Sequence, residues 1–247
     1  PKQEYIPLPE VNDEDLPDIL SSEVVEKNKL SAKVKLFIHN PSAETITNIQ
    51  IENVETKILS QTYKDKKSEV LVEISNPTMY VSSYDILSLE TKGAYSLPYK
   101  REYENNEKII LVDFYKEIYS IDDWKNIKNS REENYILMED LDFANQGNSI
   151  IINGGISGIL NGNNHCIKNV FLDKASTGFI GQLSGRIENL YIQNYRNLNT
   201  TSSYVSLIDY VNSGAKINNV HVKDIQLSLP ETATKSNIRI GSMIGYL

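Results

Sequence analysis

Apolar residues recur in short runs through the first half of the chain. Ala32 to Ile38 mixes alternating and continuous apolar character and stops at Asn40-Pro41. Ile46 to Ile58 follows, carrying Ile49, Ile51, Val54, Thr56 and Ile58, and then Val70-Leu71-Val72-Glu73-Ile74 ends at Asn76-Pro77. Tyr80-Val81, Ile86 to Leu89 and Lys108 to Tyr115 complete the series. Runs of this length bounded by Asn-Pro and lysine- or asparagine-rich turns predict β-strands. Their spacing predicts a small antiparallel sandwich-like domain over 29–116. A helix is predicted at about 120–129. Ser120 caps it with Asp123 three residues later, and Ile121, Trp124 and Ile127 share one face.

The second half repeats itself. The tetrads Ile167-Lys168-Asn169-Val170, Ile187-Glu188-Asn189-Leu190 and Ile217-Asn218-Asn219-Val220 share one pattern. A second block recurs out of phase with them: Gly178 to Leu183, Ser206 to Val211 and Ser242 to Leu247. Strand-forming units at this spacing, with Gly and Asn turns and no helical run between them, predict a right-handed parallel β-helix over 117–247. Asn169, Asn189 and Asn219 are assigned to its corners, because asparagine tolerates left-handed backbone and can bond to the asparagine of the next coil. Gly162, Gly181 and Gly245 are assigned to tight points of the repeat. The predicted inward column is Ile167, Val170, Leu172, Ile187, Leu190, Ile192, Ile217, Val220 and Val222. The same parity sends Phe171, Tyr191 and His221 outward as a stacked column, either covered by another segment or exposed as a recognition stripe.

Composition narrows the classes. The 247 residues carry 25 Lys and Arg against 33 Asp and Glu, a net charge of −8, which argues against a nucleic-acid partner. No apolar stretch is long enough to span a membrane, and no signal peptide opens the chain. The single cysteine, Cys166, excludes an internal disulfide. Four of the eight prolines and eight acidic residues fall in 1–28, which reads as an acidic extended leader strapped to the next domain. Leu247 falls inside a repeat block, so the chain is expected to be part of a longer protein.

At Tyr135 to Phe143 and Gly158 to Val170 the chain resembles the opening of bacterial surface β-helices, and Gly178-Phe179-Ile180-Gly181 and Gly241 to Tyr246 resemble their GLUG-type repeats. The order of a β-rich region and then such a β-helix is similar to the N-terminal, non-catalytic part of the streptococcal immunoglobulin A1 protease family of secreted zinc metallopeptidases. The resemblance implies a secreted or cell-surface virulence protein of a Gram-positive bacterium, with zinc in a downstream catalytic domain. It also implies a host glycoprotein such as an immunoglobulin as partner. Cys166, Asn161 and Asp209 depart from the repeat pattern.

The residues themselves carry little chemistry. A zincin needs His-Glu-x-x-His, and the three histidines, His39, His165 and His221, are far apart. No metal or cofactor site is therefore expected in this chain. His165 reads as a turn residue, and Cys166 has no activating pattern beside it. Glu139, Asp140 and Asp142 are the best carboxylate cluster. Three readings follow. The first is a spacer and recognition region of a metallopeptidase. The second is an adhesin-type binding module. The third is a polysaccharide-active enzyme that uses Asp140 and Asp142.

Overall fold

The computed structural model describes residues 13–93, 98–201, 203–231, 239–241 and 243–246. The first twelve residues of the leader, Ser242 and Leu247 lie outside them. The chain divides into two compact units, 1–112 and 113–247.

In the first unit, β1 (Asp18–Lys27), β2 (Ser31–His39), β5 (Lys67–Ser75) and β4 (Glu55–Lys64) form an antiparallel sheet in the order β1-β2-β5-β4. A second antiparallel sheet contains β3 (Thr45–Ile51), β6 (Ser83–Lys92), β7 (Tyr99–Glu102) and β8 (Ile109–Leu111). Strict alternation along β2 buries Ala32, Val34, Leu36 and Ile38, and β5 does the same with Val70, Val72 and Ile74. On the opposite face Glu26, Lys33, Glu73 and Lys57 are successive register partners, so unlike charges meet across all four strands.

Three boundaries differ from those the sequence suggests. Asp18–Lys27 is an edge strand of the first sheet, with bulges at Ile19/Ser21 and Val24/Glu26, rather than part of a leader. The bulges leave Leu20, Val24 and Val25 exposed and hide its alternation. The run from Ile46 to Ile58 is two strands in different sheets, broken where Asn53 takes a left-handed φ of 60°. The apolar run at 108–115 divides at Val112, and Phe114 belongs to the second unit.

The second unit is a parallel β-solenoid of about three turns. It opens with β9 (Lys116–Ile118) and α1 (Ile121–Asn126), which a short 3-10 turn over Ile127–Asn129 extends. Ser120 caps α1 by accepting from Asp123 N, and its own hydroxyl donates to the Asp123 carboxylate at 2.7 Å. Then come β10 (Tyr135–Leu137), β11 (Leu141–Asp142), β12 (Ile159–Asn161), β13 (Cys166–Asp173), β14 (Ile180–Leu183) and β15 (Arg186–Leu198). The series ends with β16 (Tyr204–Val205), β17 (Ile208–Val211), β18 (Lys216–Leu227), β19 (Arg239–Ile240) and β20 (Ile244–Tyr246).

The ladders fix the coils. On one wall Tyr135, Leu160, Ile187 and Ile217 stack in register. On the next, Leu141, Ile167, Ile192 and Val222 stack. After another corner Val170, Tyr195 and Ile225 stack, and on the far wall Ile180, Ile208 and Ile244. The second repeat block is therefore in phase throughout its described part. The tetrads are not. Ile187 pairs with Ile217, whereas Ile167 pairs with Ile192. Ile167, Val170, Leu172, Ile187, Leu190 and Ile192 are fully buried, and Ile217, Val220 and Val222 pack half-buried against the same core.

An aromatic spine runs through that core. Trp124 stacks on Phe179 at 5.1 Å and 5°, and its Nε1 donates to Ile150 O at 2.8 Å. Phe143 meets both rings, and Tyr195 packs on the other side of Phe179. The Tyr195 hydroxyl donates to Ser206 O at 2.7 Å. Burial pushes that hydroxyl far above the ordinary tyrosine range.

Candidate functional site

Corners of the coils are turned by residues with left-handed backbone, at three places in the coil of β15. Asn169, Asn194 and Asp224 share one corner, with φ of 59°, 59° and 57°. Asn189 and Asn219 share another, and Lys174 and Asn199 turn the third. Asparagine suits these places because its side chain bonds locally and reduces the penalty of the left-handed region. It also bonds along the stack. Asn219 Nδ2 donates to Asn189 Oδ1 at 2.9 Å, and Asn194 Nδ2 donates to Asn169 Oδ1 at 2.8 Å. Asn199 Nδ2 donates to Asp173 at 2.9 Å. Asn169 thus belongs to a different ladder from Asn189 and Asn219.

Gly162, Gly181 and Gly245 lie where a Cβ would meet the neighbouring coil's backbone at Asn189, Asn153 and Asp209 respectively. Asp209 occupies the register position of Gly181 and Gly245. Its buried carboxylate accepts from Ser206 Oγ at 3.1 Å, in space left by the missing side chain of Gly178.

The wall between the first two corners presents two outward columns. One contains Cys166, Tyr191 and His221; the other contains Asp142, Lys168, Gln193 and Lys223. Tyr191 and His221 stack at 4.9 Å and 12°, and Tyr191 is 39% exposed. His221 Nε2 also meets Asn219 Oδ1 at 2.9 Å. Phe171 is not the third ring of this stack. Its register partner is Arg196, whose guanidinium lies 4.9 Å from the Phe171 ring centre. The outward column is therefore a pair of rings, with a separate cation–π pair beyond the next corner.

The lower end of this wall is occupied by structural bonds. Asp140 accepts from Cys166 N at 2.9 Å and from Lys168 Nζ at 2.9 Å, and it lies 3.3 Å from His165 Nδ1. The Cys166 N–H, then Lys168, holds its carboxyl below the ordinary range. Asp142 accepts from Asn169 Nδ2 at 2.8 Å and from Ala144 N at 3.0 Å, and the Asn169 amide is the main cause of its lowered pKa. Both side chains face outward around the buried Leu141. Both are carboxylates held ionised by coil-to-coil bonds, which suits neither for the protonated-acid half of a glycosidase pair. Burial pushes the Cys166 thiol up, the opposite of what a nucleophile needs. Among the described residues no three His, Cys, Asp or Glu side chains come together as a metal site.

The upper end is different. A groove is lined by Lys168, Asn169, Gln193, Asn194 and Asp224, and its Gln193 follows Tyr191 by two residues on the same face of β15. The sequence pattern points to Tyr191 and His221 on this wall and does not point to Gln193, Asn194 and Asp224. The available signal was the left-handed corner motif, which occurs twice along β15, at Asn189 and at Asn194. Compared with known proteins, the chain matches no family model, no curated protein and no solved structure.

Proposed function

We propose that this chain is a non-catalytic spacer and recognition module. We assign it to a secreted or cell-surface zinc metallopeptidase of the immunoglobulin A1 protease type, with its binding face on the solenoid wall that carries Tyr191 and His221. The observation behind this reading is the contrast along that wall. Asp140 and Asp142, the acids best placed for chemistry, are committed to joining coils. The stacked rings and the polar groove next to them are open to solvent on a parallel sheet. A binding constellation on strands is held more firmly than one on loops. Each further coil also lengthens a solenoid by about 4.8 Å, which suits a spacer.

The partner expected on this reading is a host glycoprotein such as an immunoglobulin. Surface plasmon resonance of the chain against immobilised immunoglobulin A1 and other secreted glycoproteins tests the recognition role. Saturable binding that Tyr191→Ala weakens supports it, and no binding to any of them removes it. The peptidase assignment has its own test. A gene that encodes no His-Glu-x-x-His beyond Leu247 would leave an adhesin-type module in its place.

A further inference from the structure

The groove contains an unbalanced set of hydrogen-bonding groups. In these ladders Asn169, Asn194, Asn199 and Asn219 each donate Nδ2 to a side-chain oxygen of the coil before, so an amide oxygen is closed by a donor from the coil after it. Asn169 has both: its Nδ2 donates to Asp142 and its Oδ1 accepts from Asn194. Asn194 has only the first. The residue stacked on it, at the same register position and with the same left-handed backbone, is Asp224. A carboxylate has no proton to give. The Asp224 carboxylate therefore cannot donate to Asn194 Oδ1, and neither group has a donor among the described residues. An asparagine at 224 would close the ladder, as Asn219 does on Asn189 at 2.9 Å. The chain forgoes at this point a bond that it makes at the neighbouring corner, and functional or strained sites are where such local departures from consistency are expected.

We infer that this groove binds the hydroxyl groups of a neutral saccharide, with Asp224 as the anchoring acceptor. The inference rests on the recognition role proposed above and names the chemistry of the ligand. A sugar diol supplies what the groove lacks. Its O–H groups donate to Asp224 and to Asn194 Oδ1. Its oxygens accept from the Gln193 amide and from the N–H of Asn194 that the ladder leaves over. Its C–H surface rests against the exposed side of Tyr191, two residues before Gln193 on the same face of β15. Hydroxyl bonds to a carboxylate are of the stronger, charge-assisted kind. An anionic ligand would instead meet the Asp224 charge, while the Lys168 ammonium that also lines the groove is already paired with Asp140.

The test applies the full chain to an array of neutral, sialylated and sulfated oligosaccharides, comparing the parent with Asp224→Asn. The parent is expected to retain a subset of neutral glycans. Asp224→Asn should lower that affinity about ten-fold or more while melting no earlier than the parent, since it closes the ladder. Retention of no neutral glycan overturns the inference, as does equal retention by Asp224→Asn. Retention of acidic glycans alone, lost in Lys223→Ala, also overturns it. Binding to a glycoprotein that survives enzymatic removal of its glycans would overturn the saccharide inference and leave the recognition role standing. Binding to neither glycoprotein nor array would remove both.

Discussion

Single residues show where the solenoid spends stability and where it gains it. Asn197 is fully buried, and its register neighbours in the coils on either side are Leu172 and Leu227. Its amide lies near the Tyr195 hydroxyl, but neither its Nδ2 nor its Oδ1 has a hydrogen bond of good geometry among the described residues. An apolar side chain of similar size removes that unmet demand and continues the leucine column. Asn197→Leu is therefore expected to stabilise the chain by about 1–3 kcal/mol, read as a raised denaturant midpoint at unchanged slope. An unchanged or lower midpoint would mean that the amide is satisfied in solution, for instance by a buried water. Asp140 and Asp142 act in the other direction. Their folded pKa values lie below the ordinary value. Their contribution is therefore present above the unfolded pKa of about 3.9 and is lost as pH falls through the folded values. Both groups are largely exposed, so solvent screening keeps the contribution small. Asp140→Asn and Asp142→Asn should melt below the parent near neutral pH, with the gap closing in acid. A gap that persists at low pH would assign the loss to geometry instead of charge.

At the scale of the element, the corner motif explains both what could be read in the sequence and what could not. Leu190 and Val220 are register partners, one fully buried and the other half-buried in the next coil. Leu190→Asp leaves an uncompensated charge in the dry column and should cost about 3–5 kcal/mol. Val220→Asp should cost clearly less, because its carboxylate reaches water. Equal costs, measured by chemical denaturation, would show that depth in the column does not set the penalty. The inward parity behind this prediction was legible, because apolar-polar-Asn-apolar describes one corner wherever it occurs. The phase of the coils was only half legible for the same reason. Ile187-Glu188-Asn189-Leu190 and Ile192-Gln193-Asn194-Tyr195 both turn corners of one coil, and the tetrad at Ile167 belongs with the second. A pattern repeated within the coil cannot announce which corner it occupies, so Phe171 was set beside Tyr191 instead of Arg196. The block whose register partners are Ile180, Ile208 and Ile244 occurs once per coil and stays in phase. The strand β1 escaped notice because its bulges erase the alternation that marked β2 and β5.

For the whole molecule, the two units are built on different principles, and this has a measurable consequence. The first unit closes antiparallel sheets over a core of valine, isoleucine and leucine, with the buried rings of Tyr84 and Tyr103. The second stacks parallel coils around an aromatic spine, and it holds the only tryptophan, Trp124, at zero exposure. The second has one continuous buried cluster and the first buries an apolar set of its own, as bodies that fold separately would. In the solenoid each coil depends on its neighbours, so loss of one interface propagates along the stack. Thermal or denaturant unfolding is then expected to show two transitions in far-ultraviolet circular dichroism. Tryptophan fluorescence follows only one of them, that of the solenoid, as Trp124 leaves the rings of Phe143 and Phe179. Leu190→Asp should move the fluorescence-detected transition alone. Val72→Asp, in the buried face of β5, should move only the transition that fluorescence does not see. A single transition that coincides for both probes and shifts with either substitution would show one cooperative molecule, and the division at Val112 would then describe its geometry without describing its energetics.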